Sequence, residues 1–132
     1  TFGWIAVTES SLSDLLTERN YYMLSYSSDF QRGQVAGWQS GIRFHNYSWI
    51  RGEVYHDGDM SPGASGSGLF YFDDPAQPET SAVVAAVHMA QYTYSNGKYV
   101  QGDPYSNSTP NVAVPSSTFY STLLQAIEAT KR

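Results

Sequence analysis

An all-β fold is predicted for this chain: about six closely spaced antiparallel strands, curled into a closed or nearly closed barrel, then one C-terminal α-helix. Three observations carry that expectation. Short aromatic and β-branched runs alternate with clusters of Gly, Ser, Asn, Asp and Pro, the pattern of strands joined by turns. The most apolar run, residues 81–90, is bounded by loop-forming residues and is short enough for a buried central strand. Helical apolar spacing occurs past Ser116, where Phe119, Leu123, Leu124 and Ile127 line one face.

Each element follows in order. Phe2–Val7 reads as an incoming apolar strand, and residues 10–18 as a polar loop with at most one helical turn. Asn20–Tyr26 is an aromatic strand between polar ends. After a loop at 27–33, residues 34–44 form a strand in which Gly37 and Gly41 predict bends or bulges. Residues 45–48 turn the chain into a strand over Trp49–His56, with Trp38 and Trp49 as core or sheet-face residues. Gly68–Phe72 is the next strand, and Asp73–Thr80, with two prolines, is an exposed loop. Residues 81–90 form the central strand. Asn96-Gly97 between aromatic residues predicts a hairpin within 92–100, and 102–110 a loop. Residues 111–114 are a short last strand stopped by Pro115. Ser116 and Ser117 are candidate caps for a helix over about 118–130.

Composition bounds what such a protein can do. The 132 residues make one domain, 1–132, with 41% hydrophobic and 14% charged residues, as suits a packed core. Net charge is −5, and no basic patch exists to neutralise phosphates, which argues against nucleic acid as a partner. No apolar run approaches a membrane span. There is no cysteine, so neither disulfides nor thiolate metal sites enter. Asn46-Tyr47-Ser48 and Asn107-Ser108-Thr109 match a glycosylation pattern that also arises by chance. Thr1 in place of methionine gives the expectation of a processed start.

The stretch with legible chemistry is Asp59-Met60-Ser61-Pro62-Gly63-Ala64-Ser65-Gly66-Ser67-Gly68-Leu69-Phe70. Ser65 lies between small residues that leave its hydroxyl unshielded. Glycine also allows the N–H groups of Gly63 and Ser65 to converge on one point, as an acyl-transfer oxyanion requires. Two readings stand here: a serine nucleophile, or an ordinary Gly/Ser/Pro turn between strands. An α/β-hydrolase is excluded, because that fold needs a glycine two residues after the nucleophile and a helix behind it. Ser67 and a strand stand there.

Taken together, these segments resemble the C-terminal barrel of a chymotrypsin-like serine peptidase, with the bacterial glutamyl-endopeptidase group as the nearest branch. Residues 24–30 resemble the family's strand and Gly-Tyr-Pro-Gly-Asp loop, with Ser in place of Pro and Gly. Residues 59–70 resemble its Asp-Thr-x-x-Gly-x-Ser-Gly-Ser-Pro-Val turn, with Gly68 where proline is usual. Val83–His88 resembles the apolar strand ending in Ile-His beside the specificity pocket, and residues 111–114 with the helix resemble the closing elements. The resemblance implies a six-stranded Greek-key barrel, half of a double barrel. It implies Ser65 as acylating nucleophile and the Gly63 and Ser65 N–H groups as the oxyanion hole. Ala64 replaces the Asp that pairs with a freed N-terminus in trypsin-like enzymes, so that mode of activation is absent.

In that family the triad runs His, Asp, Ser, with the first two on an N-terminal barrel. No such barrel precedes Ser65, and a serine without a general base is a poor nucleophile. The expectation is a secreted or periplasmic two-chain enzyme acting on protein or peptide substrates, with a partner chain supplying His and Asp and no cofactor. The alternative is a barrel that has lost catalysis and serves as a binding or assembly module. Substrate-binding candidates are His88, Asp59, Met60, Met89 and Ala90. His88 at the pocket wall favours an acidic side chain before the cleaved bond. Asp59 matches the acid that binds Lys or Arg in trypsin, and Asp59 with His88 as an internal pair remains a third option. Met60 would narrow the pocket. Met89, Ala90 and Gln91 replace a glycine-containing wall. His56, Asp57 and Asp59 supply too few oxygens over too short a stretch for a hard-cation loop, and Asp73 and Asp74 read as an exposed loop face.

Overall fold

A computed structural model of the chain describes residues 5–17, 19–26, 32, 34, 36–58, 65–91 and 111–130. Among them the strands are β1 (Ala6–Val7), β2 (Tyr21–Ser25), β3 (Gly37–Ile42), β4 (Phe44–Ser48), β5 (Glu53–His56), β6 (Gly68–Phe72), β7 (Ala82–Gln91) and β8 (Asn111–Pro115). The helices are a single turn, α1 (Pro78–Ser81), and the C-terminal α2 (Tyr120–Thr130), which follows a 3-10 turn over Ser116–Thr118. The strands form one sheet in the order β3-β2-β6-β7-β8-β5-β4, and β1 adds in parallel to β7. All other pairings are antiparallel. The strands at the two ends of that path, β3 and β4, are separated in sequence by Arg43 alone. One stretch of chain thus supplies both margins, and the sheet curls into a half-barrel of eight strands among the described residues, where about six in a closed or nearly closed barrel were expected.

Alternation explains the inside of the curl. On β2, Tyr21, Met23 and Ser25 are buried while Leu24 is exposed; on β5, Val54 and His56 point inward. Tyr21 meets Phe44 edge-on at 4.8 Å and Tyr71 at 5.9 Å, a favoured ring geometry that fixes their packing. Leu12, Leu15, Ile42, Leu69, Ala85 and Ala86 complete the core. A bulge in β7 between the partners of Leu69 and Phe70 locally adds twist. Opposite the core, Tyr22 stacks between Trp38 and Phe70, with centroids 5.1 and 5.8 Å away.

Several expectations are corrected. The strand expected over 34–44 ends at Ile42, and 44–48, expected to turn, is strand β4. The strand expected over 49–56 is a turn at 49–52 followed by β5. Gly52 sits at φ 65° and its N–H reaches Ser48 O, so the glycine permits the tight connection. Trp49 lies in that turn, not on a strand, whereas Trp38 is an exposed sheet-face residue. Residues 78–81 form α1 inside the expected loop. The hairpin at 92–100 lies outside the described residues.

The end of the chain also departs from expectation. Ser116 does not cap a helix: its hydroxyl donates to Thr8 O and accepts from Ser10 N–H at 2.7 Å. Ser117 N–H adds a bond to Ser10 O at 3.0 Å. These serines tie the two ends of the described chain together. Nor is the apolar face of α2 buried, for Leu124 and Ile127 are each 45% exposed.

Candidate functional site

Ser65 lies on a turn just before β6 and is exposed. Gly66 takes φ 86°, a left-handed backbone that side chains with Cβ resist. The turn is held by main-chain bonds to β7: Gly66 N–H to His88 O and His88 N–H to Ser67 O, both 2.8 Å. Main-chain bonding between the two segments therefore begins at Gly66 and Ser67, next to Ser65, and continues through Gly68 opposite Val87. Asp59, Met60, Gly63 and Ala64 fall outside the described residues, so the oxyanion pair and the two flanking pocket candidates are not placed. Met89 and Ala90 are exposed on β7.

His88 is buried against a second histidine. Its ring is 3% exposed, and its Nδ1 lies 3.1 Å from Nε2 of His56, itself 1% exposed. The geometry fixes both tautomers. Gly58 N–H donates to His56 Nδ1 at 3.1 Å, so that nitrogen carries a lone pair and the His56 proton sits on Nε2. It donates to His88 Nδ1, which leaves the His88 proton on Nε2. Asn111, paired with His56 across β5 and β8, donates from Nδ2 to Gly58 O. Gly58 is thus gripped at both its N–H and its carbonyl. Asn111 Oδ1 is buried with no hydrogen-bond partner among the described residues.

Electrostatics match a neutral pair. Burial pushes His56 well below the ordinary imidazole value, and the nearby His88 and His45 add to the displacement. Burial alone pushes His88 down to about 4. A charged ring here would lose its hydration and, at His56, the lone pair that Gly58 uses. His45 instead meets Asp57 at the surface, Nε2 to Oδ2 2.8 Å, while Asp57 Oδ1 accepts Arg43 N–H at 2.7 Å. His56 and Asp57, considered above as cation ligands, are therefore already bonded within the protein.

All three histidines of the chain are thereby engaged away from Ser65, and no described residue bonds its hydroxyl. The His56–His88 pair was not anticipated from sequence. Its one signal was alternation on β5, where Val54 inward implies His56 inward. No family model matches the chain, and neither does any curated protein or solved structure.

Proposed function

We propose that this chain is the nucleophile-bearing half of a chymotrypsin-like serine endopeptidase, working outside the cytoplasm, whose general base and its orienting acid come from a second chain. The observation that carries this reading is the exposed Ser65 on the left-handed Gly66 turn, anchored to β7. An exposed hydroxyl beside a turn anchored through Gly66 and Ser67 suits attack on a peptide carbonyl, and the engagement of His45, His56 and His88 elsewhere supports a proton acceptor brought by a partner. The strand order supports the six-stranded Greek-key form. If β3 and β4 are taken as one bent strand, the pairings run from β2 through β6, β7, β8 and β5 back to that strand, with β1 as an addition.

In this mechanism Ser65 Oγ attacks the carbonyl carbon and passes its proton to the partner's imidazole. The Gly63 and Ser65 amides receive the developing oxyanion. The amine then leaves with that proton, and water hydrolyses the acyl-enzyme by the same route. The acidic preference rests on the family resemblance at His88: the ring is buried and uncharged, so a substrate carboxylate would be met through its remaining Nε2–H and not through an imidazolium.

An active-site fluorophosphonate is expected to label Ser65 in the native assembly and not in Ser65→Ala. Absence of labelling with every co-purifying chain present overturns the peptidase reading. It would favour a binding module, the second reading, for which exposed Trp38, stacked on Tyr22, is the supporting feature. Cleavage of a peptide library after Lys or Arg would reject the acidic preference.

A further inference from the structure

The two histidines connect the chain on either side of residues 59–64. On one side His56 accepts from Gly58 N–H, and Asn111 donates to the same residue's carbonyl. On the other, the His88 main chain brackets the serine turn through Gly66 N–H and Ser67 O. The ring-to-ring bond joins the two sides. We propose that His56 is a positioning residue for Ser65: it holds Gly58 directly and, through the His88 ring, steadies the strand segment on which the serine turn is built.

The inference rests on the peptidase reading for its meaning but not for its geometry. His56 touches neither substrate nor reacting atoms, and it acts by accepting at Nδ1 while donating at Nε2. Only the neutral Nε2–H tautomer does both. Among the described residues, the titratable group acting on the pair from outside it is His45 on β4, itself bonded to the Asp57 carboxylate, and the Phe44 ring packs edge-on against His56. Side chains of two kinds separate the two contacts. In His56→Asn the amide oxygen reproduces the acceptor toward Gly58, whereas in His56→Gln the amide nitrogen reproduces the donor toward His88.

The test is in two parts on the full chain. Long-range proton–nitrogen correlations at neutral pH are expected to show both rings uncharged with the proton on Nε2; an Nδ1–H form or a charged ring at either position overturns the proposal. Amide exchange is then compared among variants. In His56→Phe, Gly58 and Gly66 are both expected to exchange about tenfold faster or more, as befits loss of a buried hydrogen bond. His56→Gln should restore Gly66 and His56→Asn should restore Gly58. Faster exchange at Gly58 with Gly66 unchanged would make His56 a local turn support only and overturn the coupling. Should His56→Phe fail to fold, the tautomers and the Gln and Asn variants still decide. None of these readouts needs a reactive serine, so absent fluorophosphonate labelling of the wild-type assembly defeats the peptidase reading alone. Where the wild type does label, His56→Phe is expected to label more slowly and His56→Gln to recover most of the rate.

Discussion

At the scale of single residues, the buried imidazoles make stability depend on acid. Both His56 and His88 have folded values below the ordinary one near 6.5. The unfolded chain therefore binds protons that the folded chain refuses, and stability falls as pH drops from about 6.5 through about 4. Each unit of displacement is about 1.36 kcal/mol, so His88 alone withdraws on the order of 3 kcal/mol over that window. The urea midpoint of the wild type is expected to fall across it and that of His88→Gln to fall less; parallel curves would contradict the burial of the ring. Gly66 is the other residue with a sharp expectation. At φ 86° a Cβ brings backbone strain of about 1–2 kcal/mol, although open space surrounds that position. Gly66→Ala should lower the unfolding free energy by that amount, read from urea melts, and slower Ser65 labelling would show that the turn had shifted.

At the scale of elements, the seam between the start and the end of the described chain rests on Ser116. Ser116→Ala removes a donor to Thr8 O and an acceptor for Ser10 N–H in a fully buried place. The expected loss is about 2–4 kcal/mol for two buried polar groups left unpaired, read from denaturant midpoints. Sequence reasoning took the same serine for a helix cap, since Ser before an apolar helical run signals one. The hydroxyl went instead to a segment 106 residues away, and no local pattern can show that. The bend at Arg43 was hidden for a similar reason. Aromatic and apolar runs bounded by turn residues mark β2, β6, β7 and β8, but polar β4 reads like a turn until its pairing with β5 is seen.

At the scale of the whole molecule, the mostly antiparallel β architecture and its C-terminal helix were legible because they follow from strand spacing and one apolar helical stretch. The site was legible only as a glycine-rich turn around Ser65. The histidine pair was not, because its members lie 32 positions apart and meet only across the folded sheet. Exposed Trp38, Leu124 and Ile127 give the assembly its own expectation. Intact native mass measurement should find a second chain with the purified protein, and Trp38→Ser should weaken its retention if the aromatic stack contributes. A wild-type chain that remains alone at all concentrations would count against the two-chain enzyme.

The Ser10–Ser116 tie also sets an order of events. Its partners must cross nearly the whole polypeptide before they meet, and closing so large a loop offers its entropic loss early and its reward late. The tie should therefore be absent at the rate-limiting barrier and form on the descent from it. Stopped-flow measurements on Ser116→Ala are expected to show refolding close to the wild-type rate and markedly quicker unfolding. The two serines would then govern how long a folded molecule lasts, rather than how fast one is made.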